Sequence, residues 1–137
     1  MIIEIPIFRF EIPGRLPGLN ELIKVSRGTK GKGSLMAAAR QKKNWTNRVA
    51  LHILNQLPRG LSTPIPYPIF VKMIWVEIDK GRDPDNIVSA KKYLFDGMIV
   101  AKLIKKDGWK NIAGFKDRWI VDKKKPGVVV TIFKLEV

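Results

Sequence analysis

The sequence predicts an α+β domain of order β-α-β-α-β-β, a two-layer arrangement with helices packed on one face of a single mixed sheet. Three observations carry this expectation. Ile69–Ile78 (IFVKMIWVEI) is dense in β-branched and aromatic residues and is the strongest strand signal in the chain, so it is placed centrally. Trp45, Val49, Ile53 and Leu57 recur at helical spacing, as do Ile87, Ala90, Leu94, Met98 and Ala101. Val128–Leu135 is a closing apolar strand. With 137 residues, a single domain over 1–137 is long enough to bury one core and too short for two.

The opening strand draws on Ile2, Ile3, Ile5, Ile7, Phe8, Phe10 and Ile12 and stops at Pro13-Gly14, with Pro6 marking an edge or an irregularity. About 14–34 follows as a flexible basic loop carrying five glycines. Ser34 is the candidate N-cap of the first helix, which ends before Pro58-Arg59-Gly60 and shows Arg40, Lys43 and Asn47 on its polar face. Pro64, Pro66 and Pro68 form a stiff connector to the central strand. A second helix is expected from Asp83-Pro84 to about Leu103, broken by Asp107-Gly108. Two short strands, Trp109–Phe115 and Trp119–Val121, then precede a turn at Lys125-Pro126-Gly127.

Composition narrows the chemistry. No cysteine is present and His52 is the single histidine, so a disulfide framework, a thiolate metal site and a multi-histidine zinc site are all excluded. His52 sits in an apolar helix and is expected to be a packed core residue. Any metal must rest on oxygen ligands, which favours Mg²⁺, with Mn²⁺ as the alternative. The net charge of +14 points to a polyanionic partner, because each neutralised phosphate releases counterions. Lys24, Arg27, Lys30, Lys32, Arg40, Lys42, Lys43 and Arg48 lie in a stretch without one acid, and all seven aspartates come from Asp79 onward. The first seven of those cations, Lys24 to Lys43, are the candidate DNA contacts. No apolar run is long enough to span a bilayer and the N-terminus lacks a basic leader, so the expected setting is cytoplasmic, without membrane association.

The informative block is GRDPDNIVSAKKYLFDGM, followed by KKDGWK. Asp83 and Asp85 flank Pro84 at a helix start, where one carboxylate can cap and both can converge on a cation. On one continuous helix, Asp85, Ser89, Lys92 and Asp96 form a polar stripe opposite the core stripe. A Lys92–Asp96 pair is equally an ordinary surface ion pair, Asp83 before proline an ordinary cap, and Asp107 an ordinary Asp-Gly turn.

Asp-x-Asp-Asn at a helix start, then Lys-x-x-x-Asp, then an aspartate eleven residues on resembles the RusA family of Holliday junction resolvases. The opening strand, the PGLN segment, the basic first helix and the closing strand are similar as well, so the resemblance spans nearly the whole chain. It implies a homodimeric, Mg²⁺-dependent endonuclease acting on branched DNA. Asp83, Asp85 and Asp107 would be its acidic metal-binding triad, Lys92 its essential lysine, and Asn86 and Asp96 its supporting residues. Ser89 stands one turn after Asp85, where the best-known form of the family has the lysine, whereas Lys92 is two turns on, roughly 10 Å along the axis. Lys91 therefore stays open as the alternative. Trp109, Trp119, Phe115 and Phe133 are assigned to the core or a dimer interface, with an exposed wedge at Trp109 or within Lys24–Lys32 as the lesser reading. Two other functions remain open: a basic DNA-binding protein without catalysis, and a flap or fork nuclease on the same scaffold.

Overall fold

The computed structural model describes residues 1–18 and 32–137, with the side chains of 32–34 excepted. Strand β1 (Ile3–Pro13) leads by way of 14–18 toward helix α1 (Lys32–Gln56). Strand β2 (Ile69–Glu77) is followed by α2 (Pro84–Val88) and α3 (Lys91–Val100), then β3 (Ile112–Val121) and β4 (Gly127–Glu136). The sheet order is β1-β4-β2-β3, antiparallel except for the parallel pair β2–β3. This is the expected α+β class with a mixed sheet, and β2 is interior as its composition requires.

The sheet buries one face. Phe10 pairs with Val130, which pairs with Met73, and all three are almost fully buried. Ile12, Val128 and Trp75 form a second such row, and Phe8, Ile132 and Val71 a third. Residues directly opposite one another in a sheet share a face, so these rows form the core layer. Val49 and Ile53 of α1 cover it, with Trp45 and Leu57 partly buried beside them. The segment carrying α2 and α3 contributes Ile87, Ala90, Leu94, Met98 and Ala101, the predicted stripe, and all five are buried in the same core. Helix α1 crosses α3 at Gly97, where an added Cβ would lie 2.4 Å from Val49 Cγ1, so only glycine allows this approach.

Four expectations are corrected. The second helix is two helices: the Ser89 hydroxyl donates to the Asn86 carbonyl, and Ala90 N–H bonds to Ile87 O rather than continuing the regular ladder. The two short strands after it are one strand, β3, and β3 does not neighbour β4, because the connection over 122–126 passes the end of β2. Helix α1 begins at Lys32, which places Ser34 inside it and not at the cap. The expected flexible loop at 14–34 is packed at its start: Leu16 belongs to the core, and Gly18 lies against Asn86 so closely that a Cβ would meet the Asn86 carbonyl oxygen at 2.3 Å. The rest of that loop, 19–31, lies outside the described residues.

Candidate functional site

The carboxyl end of β2 delivers the chain to the aspartates. Glu77, the last residue of β2, is buried, and Arg82 grips it with two hydrogen bonds of 2.8 Å from Nε and Nη2. Arg82 Nη1 also donates to the Leu16 carbonyl, and Arg15 Nη2 donates to Glu77 Oε1 at 3.1 Å. One carboxylate thus ties the residue just before Asp83 to the segment that leads into the basic stretch. Burial by itself raises the Glu77 carboxyl; the hydrogen bonds and charges of Arg82 and Arg15 outweigh it and hold the group below its ordinary value. A depressed carboxylate contributes stability that is present above the unfolded value, about 4.5, and is lost as pH falls through the folded one. Glu77→Gln is expected to cost about 2 kcal/mol at pH 7 and to flatten the decline between pH 5 and pH 3, as read from urea midpoints across that range.

Asp83 occupies the N-cap position of α2, with extended backbone (φ −71°, ψ 149°) and proline following, but its side chain makes no capping hydrogen bond. Its carboxylate is exposed. Asp85 is exposed as well and accepts the Asn86 N–H at 3.0 Å. A cleft of about 410 Å³ opens beside Asp83, lined by Glu77, Asp79, Arg82, Asp83, Trp119 and Ile120, at the carboxyl ends of the parallel pair β2–β3. A larger cleft, about 670 Å³, lies where β1, α1 and the 122–127 connection meet and holds His52, Glu11 and Asp122. It contains none of the candidate site residues, whereas the smaller cleft contains Asp83. His52 is half-buried at that larger cleft and outside the core, contrary to its expected place.

Lys92 reaches Asp96 Oδ1 at 3.1 Å and Asp107 Oδ2 at 3.6 Å. The hydrogen bond and charge of Asp96, then those of Asp107, raise the Lys92 ammonium above its ordinary value despite slight desolvation, so it is a fixed cation and no proton acceptor near neutral pH. Lys91 points elsewhere. It meets Asp117 Oδ2 at 2.6 Å and lies 3.8 Å from the Phe115 ring centroid, while Asp117 Oδ1 accepts the Trp75 indole N–H at 2.8 Å. Lys91 and Asp117 are both nearly buried, and their pair ties α3 to β3.

The predicted residues therefore fall into two groups. Asp83, Asp85 and Asn86 stand at the start of α2, and Lys92 and Asp96 of α3 cluster with Asp107 from the turns that follow it. Among the described residues no three acidic or histidine side chains gather where they would hold one metal ion. The donor set at Asp83 and Asp85 still fits a hard, hydrated ion such as Mg²⁺, which keeps several waters and takes one or two carboxylates together with substrate phosphate. Asp107 does not belong to that donor set in this structure.

Arg40, Lys43 and Asn47 are exposed on α1, as their spacing predicts, and Lys42 is exposed as well. Lys24, Arg27 and Lys30 lie outside the described residues, and the Lys32 side chain is not described. Of the aromatics assigned to the core or a dimer interface, none is in the core: Trp109, Phe115 and Trp119 are exposed and Phe133 is half-buried beneath Lys72. Trp75 is the core tryptophan. Sequence reasoning missed Arg82, Glu77, Arg15 and Asp117; for the first two, a charged residue closing an apolar strand with an arginine five positions on was the available signal. Among the described residues, no helix is long and apolar enough to cross a membrane. No family model matches the chain, and comparison with characterised proteins by sequence finds no match.

Proposed function

We propose that this chain is a divalent-metal-dependent endonuclease that cuts branched DNA, four-way junctions in the first place, as the resemblance to the RusA family implies. The observation that carries the reading is the pair Asp83 and Asp85: two exposed carboxylates two residues apart, of which Asp83 stands at a cap position without making a capping bond and lines an open cleft. Two neighbouring exposed carboxylates without a salt-bridge partner among the described residues are an odd fit for a phosphate-binding protein of net charge +14 unless they hold a cation that phosphate shares. A Mg²⁺ or Mn²⁺ bound there supplies polarisation of the phosphoryl oxygen and a more acidic bound water.

The chain's own residues supply the rest. Arg82, gripped by Glu77, fixes the backbone entering Asp83, and Lys92 offers a permanent positive charge to the phosphate as negative charge builds on it. Arg40, Lys42 and Lys43 supply affinity without sequence preference, together with the basic residues at Lys24, Arg27, Lys30 and Lys32. A homodimer would pair two sites across a two-fold axis and cut symmetric strands. Its place of action is the nucleoid within the cytoplasm.

The decisive experiment offers a synthetic immobile junction, a flap, a fork and linear duplex to the protein, with and without Mg²⁺. Metal-dependent cleavage favouring the junction is expected. Preference for the flap or fork would reassign the substrate. A second reading, a basic DNA-binding protein without catalysis, is favoured by the pairing of Asp107 with Lys92 and the absence of a three-carboxylate group among the described residues. Binding to every substrate with no cleavage in either Mg²⁺ or Mn²⁺ would establish that one instead.

A further inference from the structure

Trp109 is 97% exposed, the most exposed aromatic side chain among the described residues. Tryptophan carries the largest apolar surface of any residue and is on average well buried, so one held wholly in solvent points to a partner that covers it. Its backbone is held firmly. Gly108 O accepts the N–H groups of Asn111 at 3.0 Å and Ile112 at 2.9 Å, closing a tight turn around Trp109. Asn111 O in turn accepts the Ile69 N–H at 2.9 Å, which anchors that turn to the first residue of the interior strand β2. The indole thus stands on a braced tip, and ordering it on contact costs little.

The surroundings select the partner. Lys105, Lys106 and Lys110 are all exposed and flank Trp109 in the chain, while Asp107, two residues away, is engaged by Lys92. A flat aromatic face among three cations suits a nucleic-acid base, whose own π-face stacks while its phosphates meet the ammonium groups. A hydrophobic protein partner would have to accommodate those same three ammonium groups. Base pairs inside an intact duplex are stacked on both sides and offer no face, so the site takes an unpaired or unstacked base.

We propose that Trp109 is a base-stacking residue that captures an unpaired base at the Lys105–Lys110 tip, close to Asp107. This deepens the DNA reading above and rests on it. It gives the enzyme a means of recognising the open centre of a branch by its exposed bases, independent of their identity.

The test compares wild type, Trp109→Ala and Trp109→Phe on two DNAs of equal length: perfect duplex, and duplex interrupted by an unpaired stretch containing 2-aminopurine. Wild type is expected to bind the interrupted DNA more tightly and to quench the 2-aminopurine emission by stacking. Trp109→Ala should lose the quenching and weaken binding to the interrupted DNA by roughly five- to a hundredfold, with duplex affinity within about twofold. Trp109→Phe should retain part of both signals. Because the side chain touches solvent alone, thermal unfolding of Trp109→Ala should match wild type. Equal affinity and quenching in wild type and Trp109→Ala would overturn the stacking role while leaving the DNA reading intact. Loss of a dimer in Trp109→Ala by sedimentation, with quenching preserved, would overturn it in favour of a contact between copies. A wild-type protein that binds neither DNA would fail the DNA reading itself, and this inference with it.

Discussion

Asp85→Asn is expected to reduce cleavage by at least about 100-fold while leaving the fold intact and DNA binding equal or tighter. The magnitude follows from the role proposed: loss of a group that merely orients a metal ligand costs 10- to 100-fold, so loss of the ligand itself costs at least that. The fold survives because Asp85 is exposed and the Asn86 N–H that its carboxylate accepts can be accepted equally by an amide oxygen. Surface substitutions of this kind stay within about 0.5 kcal/mol. Binding tightens because a negative charge facing phosphate is removed. Asp83→Asn should behave alike, since no capping bond is lost with its charge. The measurement is single-turnover cleavage of a junction alongside its affinity at matched salt. If both variants cut at the wild-type rate, the two carboxylates are surface charges and the metal assignment falls. Asp107→Asn separates the groups further: its carboxylate is paired with Lys92, so a large rate loss there would show that Asp107 leaves Lys92 for the metal when substrate binds.

Much of the fold was legible because core positions follow strict periods. The stripe from Ile87 to Ala101 kept its register even though the helix breaks, because the interruption at Ser89-Ala90 is a tight turn that still delivers Ala90 to the core. The break itself was not legible. Ser89 has ordinary helix tolerance, and only in three dimensions does its hydroxyl engage the Asn86 carbonyl. Consequently the single polar stripe joining Asp85 to Lys92 and Asp96 held only from Lys92 to Asp96, the part lying within α3. Strand β3 was divided in two for a different reason. Lys116-Asp117-Arg118 interrupts its apolar alternation, and a charged residue at an inward position reads as a gap. Asp117 is inward, opposite Met73 in the register, and tolerates that place because Lys91 and Trp75 satisfy both its oxygens. No spacing rule links residues 91 and 117. The exposure of Trp109 was legible only as the lesser of two readings, since an aromatic beside a turn carries the same letters whether it folds inward or stands out.

The Lys91–Asp117 pair should be among the more costly interactions of the described residues to break from one side. Asp117→Ala is expected to destabilise by about 3–5 kcal/mol, because it strands a nearly buried ammonium and leaves the Trp75 indole N–H without its acceptor. Lys91→Ala leaves the carboxylate with the indole N–H alone and exposes the Phe115 ring that Lys91 covers, so its cost should be of the same order, about 3 kcal/mol. Taking two unit charges out of water is expensive, and a pair of this kind gains little over an uncharged replacement of similar shape. Lys91→Met with Asp117→Asn should therefore recover most of the loss, since the amide oxygen still accepts from Trp75 and the thioether stem still covers Phe115. Lys92→Ala provides the contrast: Lys92 is 58% exposed and its partners are at the surface, so stability should change by less than about 1 kcal/mol while the cleavage rate falls. Urea midpoints of the four variants, set beside their rates on a junction, separate the two neighbouring lysines. A Lys91→Ala protein as stable as wild type but slow in cleavage would reverse their roles and place Lys91 at the phosphate.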